Sequence, residues 1–300
     1  MQKPNPQNPK HTPKIHRKGV SQRGIFIQKE RDAVKREEKK VVKETSWGKE
    51  AKWYDKMLEE NVDTYQAKVI LPNIVRILDP KPGEVVVELG CGQGFFSRVI
   101  AKSGAKVIGI DIGKELIEIA EKRADQDGIS TKNISFYTAS ADNAKAVATR
   151  SADAVIIILA LQNMKNLAGV VAEVKRILKQ DGRAILVLNH PAFRVIKNSD
   201  WGFDEETKTQ YRKVSKYLSL FEVDIDMHPG DKKINTTTKS FHRSLQDYMK
   251  SFAKEGLAIV RIEEWISHKE SQKGPRQVAE DIARKEIPMF MCVELKSLKS

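Results

Sequence analysis

The residues best suited to chemistry in this chain are Glu88, Gly90, Gly92, Gly94 and Asp111, which follow one another in a single ordered stretch. Val85-Val86-Val87 opens a short strand that reads as buried on both faces, because β-branched residues fill it. The glycines that follow let the chain turn sharply and bring its backbone close to a ligand. Phe95 to Lys102 then predicts a helix whose first N–H groups point back into that turn. Strand, glycine turn and helix make the first half of a mononucleotide-binding unit. A dinucleotide fingerprint needs a third glycine where this chain has Phe95, which argues against a nicotinamide oxidoreductase. Glu88, two residues before the first glycine, suits a cationic ligand group better than a pyrophosphate. The next strand, 105–111, also ends in an acid: Asp111 lies 21 residues beyond Gly90, where a doubly wound fold places its ribose-binding carboxylate.

On these residues the sequence resembles the class I S-adenosylmethionine-dependent methyltransferases, whose first motif is E/D-x-G-x-G-x-G. The resemblance covers about residues 47–296. It implies S-adenosylmethionine as cofactor, held by Glu88, Gly90, Cys91, Gly92, Gly94, Asp111 and Ile112. Family members carry an acid after the third strand that reads the adenine amino group. The commonest alignment puts Ser140 there, and we assign the role to Asp142, beside Ala141. Leu159, at the end of the fourth strand, faces the sulfonium side in such enzymes, and a lid segment places Tyr54 or Tyr65 near the cofactor; we assign Tyr65.

The elements that position these groups follow a regular rhythm. Trp47 to Leu78 reads as two helices with a kink or break at Pro72, and 79–83 stops them before the first strand. Lys114 to Ala124 is a helix, 134–137 a strand, 151–159 a continuous apolar strand, Leu167 to Leu178 a helix stopped by Asp181-Gly182, and 184–188 a fifth strand. Residues 193–240 break the rhythm with Trp201, Phe203, Tyr211, Tyr217 and Phe221 among many charges, and read as a cap over an acceptor pocket. A helix at 245–255 and strands at 257–267 and 289–295 complete the chain, with a charged link at 269–286. The expected fold is therefore α/β: a doubly wound, seven-stranded, mostly parallel Rossmann-like sheet with a cap insertion after the fifth strand. The resemblance makes the last two strands an antiparallel pair at the sheet edge.

Composition bounds the setting. Of 300 residues, 40% are hydrophobic, which is ample for a core, and no apolar run approaches the length of a membrane span. Two cysteines, Cys91 and Cys292, and no secretory apolar stretch near residue 1 point to a reducing cytoplasm. No histidines are spaced as metal ligands on one helix face, and no metal is expected. The net charge is +13, of which +8 lies in residues 1–46, a Pro-, Lys- and Arg-rich leader expected to lack a core of its own; residues 47–300 form the catalytic domain. The leader reads equally as an arm for RNA or as a solvated tail.

Methyl transfer from a sulfonium rests on positioning, and a base matters only for an acceptor that arrives protonated. His190, at the tip of the fifth strand, is the candidate base, or else a group that only hydrogen-bonds the loop or substrate. Gln162, Asn189, Trp201, His228, His242 and Arg243 are the candidate acceptor contacts. The Asn-Pro-Pro-Tyr loop of base and glutamine methylation is absent; the fourth strand runs into Leu161-Gln162-Asn163-Met164. The resemblance is to the small-molecule branch, with a small aromatic or apolar acceptor expected. The alternative is an RNA methyltransferase, or an RNA-associated cofactor-binding factor, that uses the basic leader.

Overall fold

A computed structural model describes residues 46–227 and 236–298. Residues 1–45, nearly all of the basic leader, lie outside the described residues, and so does His228; the described residues belong to one unit, Glu44–Ser300.

This unit opens with α1 (Ser46–Lys49) and α2 (Ala51–Glu60), then a π-turn (Gln66–Ile70) that continues as α3 (Leu71–Leu78). Pro72 falls in the first turn of α3, where its missing N–H costs nothing, so the expected break is a change of helix type. Asp79 ends α3 in the left-handed region at φ 40°. The alternating α/β run follows: β1 (Val85–Leu89), α4 (Phe95–Ala101), β2 (Lys106–Asp111), α5 (Lys114–Gln126), β3 (Ile134–Thr138), β4 (Ala152–Ile158), α6 (Leu167–Ile177) and β5 (Leu178–Asn189). Then come β6 (Ser199–Asp204), β7 (Thr209–Val214), β8 (Phe221–Asp226), β9 (Thr237–His242), α7 (Leu245–Lys254), β10 (Leu257–Trp265), α8 (Gln277–Glu286) and β11 (Phe290–Ser297).

Seven strands form one sheet in the order β10-β11-β5-β4-β1-β2-β3. β1 to β5 pair in parallel, while β11 runs antiparallel to both β5 and β10. The expected sheet and its antiparallel edge are thus present. Successive residues of β1 feed opposite layers: Val86 packs with Ile74, Phe96, Ile100 and Ile117, whereas Val87 and Leu89 pack with Val170, Val174 and Phe252. Helices on both faces explain why these strands read as unbroken apolar runs. Each fully buried Val, Leu or Ile contributes about 1.5–3 kcal/mol, so the sheet is a rigid base for the loops at its carboxyl ends.

Three local expectations change. Asp181-Gly182 does not stop α6: the chain leaves the helix at Ile177 and enters β5 directly, with Leu178 paired to Ala152 and Arg183 to Ala154. Asp181-Gly182 is absorbed in that bulge, where Lys179 pairs with Asp153 at 2.7 Å. The charged link 269–286 contains α8. The cap insertion is two separate antiparallel hairpins, β6–β7 and β8–β9.

Candidate active site

The glycine turn between β1 and α4 is built by backbone constraint. Gly90 has φ +79°, and a Cβ there would stand 2.5 Å from the Ala160 Cβ. Gly94 caps α4 at φ +80°, against the Phe136 ring. The N–H groups of Gly90 and Cys91 both donate to the Ile110 carbonyl, which ties the turn to the end of β2. Asp111 then receives the Gly92 N–H on Oδ2 (2.9 Å) and the Gly113 N–H on Oδ1 (2.8 Å). With the Ile112 N–H also directed at this carboxyl, Asp111 keeps some of its acceptor capacity for a ligand hydroxyl.

A cavity of about 370 Å³ opens above this turn. Gly90, Gly92, Asp111 and Ile112 line it from β1 and β2, Ser140, Ala141 and Asp142 from the loop after β3, and Leu159 and Ala160 from the end of β4. Ser140 Oγ donates to Asp142 Oδ1, and Asn166 Nδ2 holds the other oxygen at 2.7 Å, so the two candidates for reading adenine form one unit. Leu159 sits at φ +53°, a conformation that a leucine keeps only when its surroundings hold it. Its N–H donates to Val187 O.

Three expected cofactor residues lie beneath the cavity and not in its wall. Glu88 is 1% exposed and accepts a hydrogen bond from Ser97 Oγ on α4. Burial, with the neighbouring Asp111 charge adding to it, pushes its carboxyl up to about 8. Burial also raises Asp111. Cys91 is buried, its thiol pushed well up, and fills space against Gly109. Gly94 forms the helix cap. Tyr65 departs further: its hydroxyl meets Ser267 Oγ at 3.3 Å and its ring edges onto His268 and Phe290, away from the cavity. Tyr54 takes the wall position instead. It faces Gly92, stands edge-on to Trp47 at 5.3 Å, and bonds Gln66; burial pushes its hydroxyl up to about 12, so it stays protonated.

A second cavity, about 740 Å³, adjoins the first, and Trp47, Tyr54, Leu159 and Asn163 line both. Trp53 and Met57, one helical turn apart on α2, form one wall, and Ile225, Met227, Thr238 and Ser240 of the β8–β9 hairpin form another. Gln162 and Asn189 lie in the wall as expected, and they are fastened together: Gln162 Nε2 donates to Asn189 O and Asn189 N donates to Gln162 Oε1, each at 3.0 Å. Asp226 is the only charged side chain lining this cavity among the described residues.

The other expected acceptor residues are engaged elsewhere. His190 is 3% exposed; Nε2 meets Glu264 Oε1 at 2.7 Å, while Nδ1 accepts the N–H groups of Ala192 and Phe193. Both ring nitrogens are engaged by protein partners, and burial lowers its pKa. Trp201, on β6, has the guanidiniums of Arg194 and Arg212 5.5 and 5.1 Å from its ring centre. His242 Nε2 donates to the Tyr217 carbonyl and so carries the proton; its ring stacks on Phe221. Arg243 donates to the carbonyls of Met164 and Lys165, pinning the loop after β4. The aromatic and methionine wall was hidden in the sequence because its parts are about 170 residues apart. The alternation of Ile225, opposite Thr238, and Met227 with the exposed Asp224 and Asp226 is the signal that marks the hairpin's inward face.

Among the described residues, no group of His, Cys, Asp and Glu gathers as a metal site, and no helix is long and apolar enough to cross a membrane. Residues 80–246 match the family described as methyltransferase domain. A demethylmenaquinone methyltransferase of Tropheryma whipplei is 31% identical over 117 residues, 39% of this chain and 46% of that protein. A 23S rRNA (uracil(1939)-C(5))-methyltransferase of Aromatoleum aromaticum is 37% identical over 62 residues, 21% of this chain and 14% of that one. The matches thus span less than half the length of either relative. A methyltransferase structure from Mesorhizobium loti superposes with a TM-score of 0.58 at 23% identity, over 75% of this chain and 95% of that one.

Proposed function

The chain belongs to the class I S-adenosylmethionine-dependent methyltransferases, and from that premise we propose that it moves a methyl group to a small aromatic or apolar acceptor held in the second cavity. When bound, S-adenosylmethionine supplies a methyl group on a positively charged sulfur. Asp111 puts a carboxyl in the wall of the first cavity, while Glu88 beneath it keeps its proton at neutral pH and is tied to Ser97. Asp111 has acceptor capacity for the ribose hydroxyls, and Asp142 for the adenine amino group.

The observation that carries the reading is the shared wall. Leu159, Asn163 and Tyr54 border both cavities, so an acceptor seated among Trp53, Met57, Ile225 and Met227 abuts a cofactor seated over Gly92. Orientation of this kind can supply about 7–11 kcal/mol of a barrier. The Gln162–Asn189 pair holds the two strand ends that set the distance between the halves. An RNA acceptor is disfavoured because no Lys or Arg lines the second cavity among the described residues. Both cysteines are free thiols, in keeping with a cytoplasmic setting.

The test is transfer of labelled methyl groups from S-adenosylmethionine into a cell extract split into small-molecule and RNA fractions. Label in the small-molecule fraction, lost in Met57→Arg, supports the reading. Label confined to RNA overturns it.

A further inference from the structure

Helix α2 walls both cavities yet has little apolar anchorage of its own. Tyr54 borders the two cavities and Trp53 and Met57 the acceptor cavity alone, whereas the buried residues of α2 are Ala51 and Leu58. Two carboxylates one helical turn apart, Asp55 and Glu59, fasten it instead. Asp55 accepts both arms of the Arg123 guanidinium on α5, Nε to Oδ1 at 3.0 Å and Nη2 to Oδ2 at 2.7 Å. Glu59 reaches the glycine turn: its Oε1 accepts from Arg98 Nη2 and, at 3.1 Å, from Gln93 Nε2.

Gln93 stands between Gly92 and Gly94 with its side chain fully buried, and among the described residues Glu59 is the one acceptor for its Nε2. Arg98, on α4 and 4% exposed, gathers the rest of the turn. Its Nε donates to Gly94 O at 3.3 Å and its Nη2 to Gln93 Oε1 at 3.4 Å, while Nη1 holds Asp127 at 3.2 Å. The turn beneath the cofactor cavity and the helix that walls the acceptor cavity thus share one buried network, and Glu59 is the α2 member of it. Loss of the Glu59 carboxylate leaves Arg98 its bond to Asp127 but strands the Gln93 amide, next to the Gly92 N–H that Asp111 accepts.

We propose that Glu59 is a positioning residue for methyl transfer: it ties α2 to the glycine turn, so that a cofactor seated on the turn also fixes Tyr54, Trp53 and Met57 and with them the acceptor cavity. The coupling is reciprocal, since whatever steadies α2 also steadies the turn. Its consequence for the acceptor rests on the methyl-transfer reading; the tie between turn and helix does not, and its test needs no acceptor.

The test is calorimetric titration of the full chain with S-adenosylmethionine, beside amide hydrogen exchange of residues 51–60 with and without the demethylated product. In the parent, the product should slow exchange in α2. Glu59→Ala should weaken S-adenosylmethionine binding about tenfold and lose that slowing. Glu59→Gln keeps a carbonyl oxygen for Gln93 and Arg98, and should keep the slowing and stay within about threefold of the parent in affinity. Gln93→Met breaks the same link from the turn without stranding a donor; it should lose the slowing as well, and serves if Glu59→Ala does not fold. Slowing that is absent in the parent, or unchanged in folded Glu59→Ala or Gln93→Met, would overturn the tie, as would equal losses in Glu59→Gln and Glu59→Ala. A parent that binds no S-adenosylmethionine would sink the methyl-transfer reading and the tie together.

Discussion

Nε2 of His190 stands 2.7 Å from Oε1 of Glu264, so the ring joins the end of β5 to β10 and has no nitrogen left for a substrate. Its Nδ1 accepts two backbone N–H groups, which places the proton on Nε2.

His190→Ala should therefore cost about 1–3 kcal/mol of stability and leave kcat within about tenfold of the parent. Denaturant melts beside steady-state kinetics check both halves. A general base would instead be worth about 10²–10⁴ in rate.

Tyr54 faces Gly92 and borders both cavities. Tyr54→Ala should weaken S-adenosylmethionine binding about tenfold by removing a rigid aromatic wall, while Tyr54→Phe should stay close to the parent. Equal losses in both variants would shift the weight to the hydroxyl and its bond with Gln66.

Glu88 has an ordinary pKa of 4.5 and is raised to about 8 in the fold by burial. Between those values the folded chain keeps a proton that the unfolded chain has released, so stability falls as pH rises through that window. Glu88→Gln should flatten the slope, melting higher than the parent at pH 8 with no such advantage at pH 4. Asp111 is raised for the same reason and leaves a residual slope. Melting curves that run parallel for parent and variant from pH 4 to pH 8 would refute the burial argument.

Gly90→Ala places a Cβ 2.5 Å from that of Ala160 at φ +79°. Strain and overpacking together should destabilise the chain by about 2–4 kcal/mol. Crowding of the turn should also weaken cofactor binding, and a variant that melts like the parent would mean that the loop after β4 can move aside.

The donor half of the site was legible because it is local. Glu88, the glycines and Asp111 are adjacent in the chain, and a buried parallel strand must be apolar along its whole length. The acceptor half was not, because Trp53, Met57, Ile225 and Met227 meet only through tertiary packing. His190, His242 and Arg243 were ambiguous for a different reason. Polar residues near strand ends serve either a ligand or the loops themselves, and only the partners distinguish the two. Here Glu264, Tyr217 O and the carbonyls of Met164 and Lys165 take them up. Trp201 is likewise spent, against Arg194 and Arg212. The choice between Tyr54 and Tyr65 depended on which face of the helical segment turned to the glycine loop, and Gly92 faces Tyr54.

The most direct measurement is calorimetric titration of S-adenosylmethionine, its demethylated product and NADH into the parent and into Asp111→Ala, with folding of the variant checked by its melting curve. The parent should bind the first two and not NADH, and Asp111→Ala should lose at least about tenfold in affinity for both. Binding of S-adenosylmethionine that is absent in the parent, or unchanged in folded Asp111→Ala, would contradict the account.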